Sequence, residues 1–199
     1  LIKTYSQSLV FATIYTSFHS NNQLNLKPNI DQFKTELIKN YFSRQKNIYA
    51  SSSLACHKTV FKSIGYFNED INYGEEEDFA IRCFNEYNLA YCNDILVYRL
   101  DGIQNQLTAP SKNSNRLIPN YEDYLKNNTN KELKKYIDFI HYKLVVLYKM
   151  ELNYKLVEFY KKQIDPSNLS FVRKVKFYLP TKVFYLLKTF YNGVIRALR

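Results

Sequence analysis

The stretch that decides the fold is Lys58-Thr-Val-Phe-Lys-Ser-Ile-Gly65-Tyr-Phe67-Asn-Glu69, followed after Asp70-Ile-Asn-Tyr73 by Gly74-Glu75-Glu76-Glu77-Asp78-Phe79-Ala-Ile-Arg82. Lys58 to Ile64 reads as a short helix that Gly65 is placed to end. Asn68 to Gly74 is a loop. Glu75 to Tyr87 reads as the next helix, with Phe79, Cys83, Phe84 and Tyr87 on or near one face. Its first turn is acidic. A carboxylate at a helix N-terminus gains about 0.3–1 kcal/mol from the dipole, but four adjacent ones repel one another beyond what capping requires. Such crowding suits a general base or a group that faces a cation. Arg82, one turn after Asp78, can neutralise it at i,i+4. Taken alone, the same residues also describe a solvated acidic helix start with one ion pair.

Outward from this core, Ser8 to Tyr15 is rich in β-formers and reads as a strand. Leu1 to Tyr5 reads as the close of a helix, and Ser20 to Pro28 as a polar loop. Ile30, Phe33, Leu37 and Tyr41 recur at helical spacing and predict a helix over 30–41. Tyr49 to Cys56 is a small-residue strand or loop. Ala90 to Tyr98 is a strand interrupted by Asn93-Asp94. Lys131 to Lys162 predicts two helices broken near Asn153, Pro166 starts a third region, and Pro180 precedes a final helix over 181–198. The division expected is 1–104 as a mixed strand and helix domain, 105–130 as a polar linker, and 131–199 as a helical extension.

The chain has 199 residues, 46% hydrophobic and 17% aromatic, so it can bury one sizeable core and is not intrinsically disordered. Four Gly and five Pro exclude collagen-like and Gly-rich low-complexity sequence. Cys56, Cys83 and Cys92 are odd in number and form no CxxC pair. Neither a disulfide framework nor a zinc site is expected, and a reducing cytoplasm fits. His57 is expected as a capping or surface residue, not as the base for Cys56. The chain opens on Leu1-Ile2-Lys3, which reads like the middle of a helix, so it is expected to be part of a longer polypeptide. No run approaches the roughly 20 apolar residues of a spanning helix.

The order of these elements resembles the acceptor-side half of family 2 glycosyltransferases, whose fold is GT-A. That family carries a Gly-Gly-Phe-Asp-Glu-like turn, a short loop and then Glu-Asp-x-Asp-Leu-x-x-Arg. Similar residues here are Gly65-Tyr66-Phe67-Asn68-Glu69 and Glu75-Glu76-Glu77-Asp78-Phe79-Ala80-Ile81-Arg82. Tyr49 to Ser53 and Lys58 to Phe61 resemble the family's small-residue strand and the helix after it. Leu89 to Tyr91 and Val97 to Arg99 resemble the strand that closes this half. Leu1 to Tyr5 and Val10 to Thr13 resemble the helix and strand that follow the family's metal-binding Asp-x-Asp. The resemblance covers about the first half of the chain.

The resemblance implies an α/β fold: a partial GT-A, Rossmann-like mixed sheet followed by a helical region. It implies inverting transfer of a sugar from a nucleotide-sugar donor to a glycan or lipid-linked acceptor, in cell-surface polysaccharide or lipopolysaccharide synthesis. The family's catalytic base, the Asp of Glu-Asp, matches Glu76, which is one methylene longer; Glu77 takes the place if the register slips by one. Glu75, Asp78, Glu77 and Ser52 are expected to bind acceptor hydroxyls or support the loop. Arg82 and Gly65 are expected to be structural, and Arg99 to lie near the diphosphate, which its forked donors suit. No Asp-x-Asp occurs in the chain. The divalent cation, Mg or Mn, expected for the full-length enzyme therefore has no ligands here, and the nucleotide-binding half is missing. The isolated chain is not expected to hold a nucleotide well.

The formal net charge is +10 and unevenly spread. Six of the eighteen acids lie between Glu69 and Asp78, and after Asp165 there is none, while seven Lys and Arg follow. Over 181–199, Lys182, Lys188, Arg196 and Arg199 gather on one side of a helical wheel, opposite Phe184, Leu186, Leu187, Phe190, Val194 and Leu198. A basic helix of this kind suits an anionic membrane surface, with the protein then expected in the cytoplasm on the inner face of the plasma membrane; the alternative is a C-terminal helix packed on its own protein. No helix-turn-helix, zinc-finger or RNP-like pattern occurs, and nucleic acid is not an expected partner. The alternative to an enzyme is an inactive accessory domain that docks on a membrane or a partner protein.

Overall fold

Strands β1 (Val10–His19), β2 (Thr35–Ile38), β3 (Leu54–Cys56) and β4 (Leu89–Asp101) form one mixed sheet in the order β2-β4-β1-β3. The structure is a computed structural model and describes residues 1–19, 34–101, 110–111, 115–126 and 128–197, without the side chains of 19, 101 and 195–197. It divides into two units: 1–107 with 116–128, and 108–115 with 129–199.

In the first unit the central pair β1 and β4 is parallel, and both edge strands are antiparallel to their neighbours. A parallel pair cannot be joined by a tight turn. The crossover here is made by α1 (Lys58–Ile64) and α2 (Glu75–Glu86), both as the sequence predicts. Val10, Ala12, Leu89 and Ala90 are buried in the sheet, and α2 buries Phe79, Ile81, Cys83 and Phe84. Phe84 stacks on Tyr41 with ring centroids 4.1 Å apart. The interruption foreseen at Asn93-Asp94 is a register shift. Thr13 faces Cys92 but Ile14 faces Ile95, so β4 carries extra residues at this point.

The helix expected over 30–41 is not formed in its described part. Thr35–Ile38 is a strand on the outer edge of β4, and Tyr41–Arg44 is a 3-10 turn that buries Tyr41 and Phe42. The helical spacing of Leu37 and Tyr41 misled, because Ile38 is the buried residue and Leu37 is exposed. The backbone groups along β4 need partners, and pairing them outweighs a weak local preference. Leu1 to Tyr5 closes a single turn, Tyr5 N–H donating to Leu1 O at 2.8 Å. The loop expected at Ser20–Pro28 lies outside the described residues. Arg116–Asn128, within the stretch read as a linker, belongs to the first unit.

The second unit is helical: α3 (Lys131–Met150), α4 (Tyr154–Lys161), α5 (Phe171–Tyr178) and α6 (Thr181–Ala197). The break at Asn153 is where the sequence puts it. Leu152 takes a left-handed φ of 56°, and the Asn153 side chain caps α4 by accepting from Leu156 N–H at 3.2 Å. Leu133, Ile137, Ile140, Leu144 and Val145 of α3 form the core with Val157 of α4. Asp138 is fully buried and accepts from Lys134 Nζ at 2.6 Å and Asn168 Nδ2 at 2.7 Å. Lys149 is also buried. Its ammonium donates to the carbonyls of Lys176, Phe177 and Leu179 at 2.8, 2.8 and 2.6 Å, closing the C-terminal end of α5. Burial pushes its pKa down to about 8.

His141 is buried in the same core, and burial, then the nearby charge of Lys134, pushes its pKa down to about 4. The ordinary value is about 6.5. Below pH 6.5 the unfolded chain takes up this proton, whereas the native protein does so only near pH 4. Stability from this group is therefore complete above pH 6.5, is lost as pH falls from 6.5 to 4, and changes no further below. The expected loss is about 3 kcal/mol. Urea unfolding followed by circular dichroism between pH 7.5 and 4 measures it. His141→Phe is expected to flatten the dependence, and an unchanged slope refutes the assignment.

Candidate functional site

The acidic turn is built by one clamp. Asp78 is only 4% exposed. Its Oδ2 accepts from Arg82 Nη2 at 2.7 Å and Nε at 3.1 Å, and its Oδ1 accepts from the Tyr124 hydroxyl. The rest of the guanidinium turns to the other end of the motif. Nη1 donates to Ile64 O, and Nη2 donates to Tyr66 O at 2.9 Å. Arg82 thus binds the turn after α1 to the start of α2, and this planar fork cannot be copied by a point charge. Gly65 makes the turn with φ +81°, and Gly74 opens α2 with φ +87°, a region that only glycine enters at little cost.

Aromatic rings fill the space beneath. Phe67 stacks on Phe79 at 4.6 Å, Phe61 lies 5.5 Å from Phe79, and the Arg82 guanidinium sits 5.6 Å over the Phe79 ring. The 116–128 segment straps the loop from outside. Asn72 N–H donates to Leu117 O at 3.1 Å, Leu117 N–H donates back to Asn72 Oδ1 at 2.9 Å, and the buried Tyr121 hydroxyl donates to Gly74 O at 3.2 Å. Burial, then the bond to Asp78, pushes the Tyr124 phenol up, so it stays protonated and acts as a donor.

The four carboxylates have different surroundings. Asp78 is taken up by the clamp, a loop-supporting role. Glu77 is half-buried and accepts from Asn47 Nδ2 at 3.3 Å. Glu75 is half-buried, and Glu76 is exposed and accepts from the Ser51 hydroxyl. Ser51 belongs to a 3-10 turn (Ser51–Ser53) that leads directly into β3. Ser53 fixes this turn by donating to Thr13 O at 2.8 Å. Ser52 is exposed between them, so Ser51, not the Ser52 chosen from sequence, meets the acidic turn. Arg99 is exposed on β4 with its guanidinium 4.9 Å over the Tyr15 ring. Tyr15 lies two residues beyond Thr13, which puts Arg99 toward the end of the sheet that holds the serine turn.

Sequence reasoning missed Tyr121, Tyr124 and Asn47, and from the serines at 51–53 it singled out Ser52. The tyrosines are hidden in a chain with 19 of them, and three consecutive serines offer no ground for choosing one. A cleft of about 530 Å³ lined by Thr4 to Leu9, Leu37 and Glu86 to Asn88 lies at the other end of α2 and contains none of the expected site residues. Among the described residues no three His, Cys, Asp or Glu side chains gather as metal ligands. No helix among them is long and apolar enough to cross a membrane. Compared with family models, curated proteins and solved structures, the chain matches none.

Removing the clamp leaves a buried charge. Arg82→Ala is expected to cost about 3–5 kcal/mol, and Arg82→Lys to recover less than half, because an ammonium cannot reach both Asp78 and the two carbonyls. Gly74→Ala is expected to cost more than Gly65→Ala. A Cβ on Gly74 overlaps the Tyr121 hydroxyl, whereas one on Gly65 meets only Arg82 Nη1 at 3.7 Å. Thermal melts rank the four variants, and equal losses at the two glycines show that Tyr121 gives way.

Proposed function

We propose that the first unit is the acceptor-side half of a GT-A-type family 2 glycosyltransferase, and that Glu76 is its general base. The observation that supports this reading best is the division of labour on the first turn of α2. Arg82 and Tyr124 hold Asp78 inside, and Glu76 stays accessible beside a hydroxyl-bearing turn. A carboxylate placed this way can take the proton of an acceptor alcohol as the alcohol oxygen attacks the anomeric carbon. The new C–O bond forms as the bond to the nucleotide diphosphate breaks. The diphosphate leaves with the electron pair, and attack from the opposite face inverts the centre.

On this reading Ser51 orients the Glu76 carboxylate, while Gly65, Gly74, Asp78, Arg82 and Tyr124 position it. Arg99 presents forked donors suited to a phosphate. The donor and its divalent cation, Mg or Mn, are assigned to a nucleotide-binding half outside this chain. Among the described residues β3 pairs only with β1, so its other edge is where further strands would add, and the Ser51–Ser53 turn immediately precedes β3. Strands added there run beside Glu76. The acceptor class is a glycan or lipid-linked sugar of cell-surface polysaccharide or lipopolysaccharide synthesis.

In a polypeptide that carries both halves, Glu76→Gln is expected to lower sugar transfer by about 10²–10⁴-fold and to leave the circular dichroism melt unchanged. Transfer from a panel of nucleotide sugars is the readout. Loss in Glu77→Gln with retention in Glu76→Gln moves the base by one residue, and retention in both defeats the assignment.

A further inference from the structure

Helices α5 and α6 of the second unit both turn apolar stripes away from the core. In α5, Phe177 is buried and Arg173 lies with its guanidinium 4.5 Å over the Phe139 ring of α3. On the opposite side Phe171 is 80% exposed, with Val172 and Val175 beside it. At about 100° per residue, Lys174 and Lys176 fall on the two borders of this stripe. In α6, Thr181 and Phe184 are buried, and Leu187, Phe190 and Val194 are exposed on the other side, Phe190 by 74%. Lys182 borders that stripe. Only Leu179-Pro180 separates the two helices.

Rows of large exposed apolar side chains on two successive helices point to a binding surface. We infer that α5 and α6 together dock this unit on an anionic lipid bilayer, with the apolar stripes in the acyl boundary and the bordering lysines at the headgroups. The charge pattern selects the occupant. From Pro166 onward there are seven Lys and Arg and no acid. Two copies meeting face to face would set these cations against each other, whereas anionic headgroups complement them. The large apolar side chains have no role against a phosphate backbone but match the hydrocarbon boundary. The inference includes α5, which the sequence reading left out, and stands independently of the transferase reading.

Flotation of the full 199-residue protein with phosphatidylcholine vesicles, and with vesicles in which about 30% of the lipid is phosphatidylglycerol, tests it. At least tenfold more protein is expected to float with the anionic vesicles. Two variants, Phe171→Asp/Phe190→Asp and Lys174→Glu/Lys182→Glu, are each expected to lose at least tenfold of this binding. The altered side chains are on the outside, and circular dichroism checks that the helices persist. Wild-type protein that does not float, floats equally on both vesicles, or floats as well as the variants overturns the inference. So does a dimer in sedimentation velocity that the Phe171→Asp/Phe190→Asp change abolishes, since the face then belongs to a second copy.

Discussion

A carboxylate that is almost wholly removed from water needs hydrogen-bond donors on both oxygens, and Arg82 and Tyr124 supply them to Asp78. The rest of the first unit's site is arranged around that requirement. Arg82 reaches Asp78 from one turn further along α2 and gives its remaining donors to carbonyls at the C-terminal end of α1, so a single guanidinium ties the two helices together. Tyr124 comes from a segment more than 40 residues away. The 116–128 strap is therefore held to the unit by the same buried charge. A broken pair leaves an ion without water or partner, which is why such pairs are costly to disturb even where their net gain over an apolar pair is small.

Elements whose signals are local were legible in the sequence. Gly65 ends α1, Gly74 precedes α2, and Asn153 caps α4, because backbone conformation and capping are decided within a few residues. The bulge at Asn93-Asp94 is of the same kind. β2 was misread because four residues at helical spacing carry no information about the edge of β4, which needed a partner strand. The strap was misread because Tyr121 and Tyr124 sit in a polar setting, and their worth comes from a buried carboxylate supplied elsewhere. In the acidic turn the Asp78–Arg82 pair and the loop-holding part of Asp78 were legible from their i,i+4 spacing, whereas the partners of Glu76 and Glu77 were not: sequence shows four carboxylates in a row, and only packing distinguishes the one enclosed from the one exposed.

In the second unit carboxylates pair with Lys134, Lys135 and Lys161, and other cations are met by backbone carbonyls and ring faces. Lys149 is satisfied by three backbone carbonyls at the end of α5, where the helix dipole favours positive charge. Arg173, Lys161 and Lys188 lie over the rings of Phe139, Phe177 and Tyr191 at 4.5, 5.4 and 5.1 Å. A composition rich in aromatics and poor in acids makes this possible, since ring faces and helix ends both attract cations. Among the described residues of this unit the buried acid is Asp138, paired with Lys134 inside the core. Cations on the outer borders of α5 and α6 are left available, and this is the arrangement that an anionic surface complements.

Helix geometry links the clamp to the proposed base. Successive residues are about 100° apart, so Glu76 stands about 200° from Asp78 around α2. Once Asp78 is fixed inward, Glu76 must point outward, whatever the other carboxylates do. The extra methylene that separates Glu from the Asp of the resembling motif extends its carboxylate further from the helix, toward the Ser51 hydroxyl on the facing turn. An exposed carboxylate is a weak base while water surrounds it, and it becomes effective when an acceptor displaces that water. On the proposed reading, enclosure is therefore supplied by the acceptor and by the strands that extend the β3 edge, while this unit contributes the direction in which the carboxylate points.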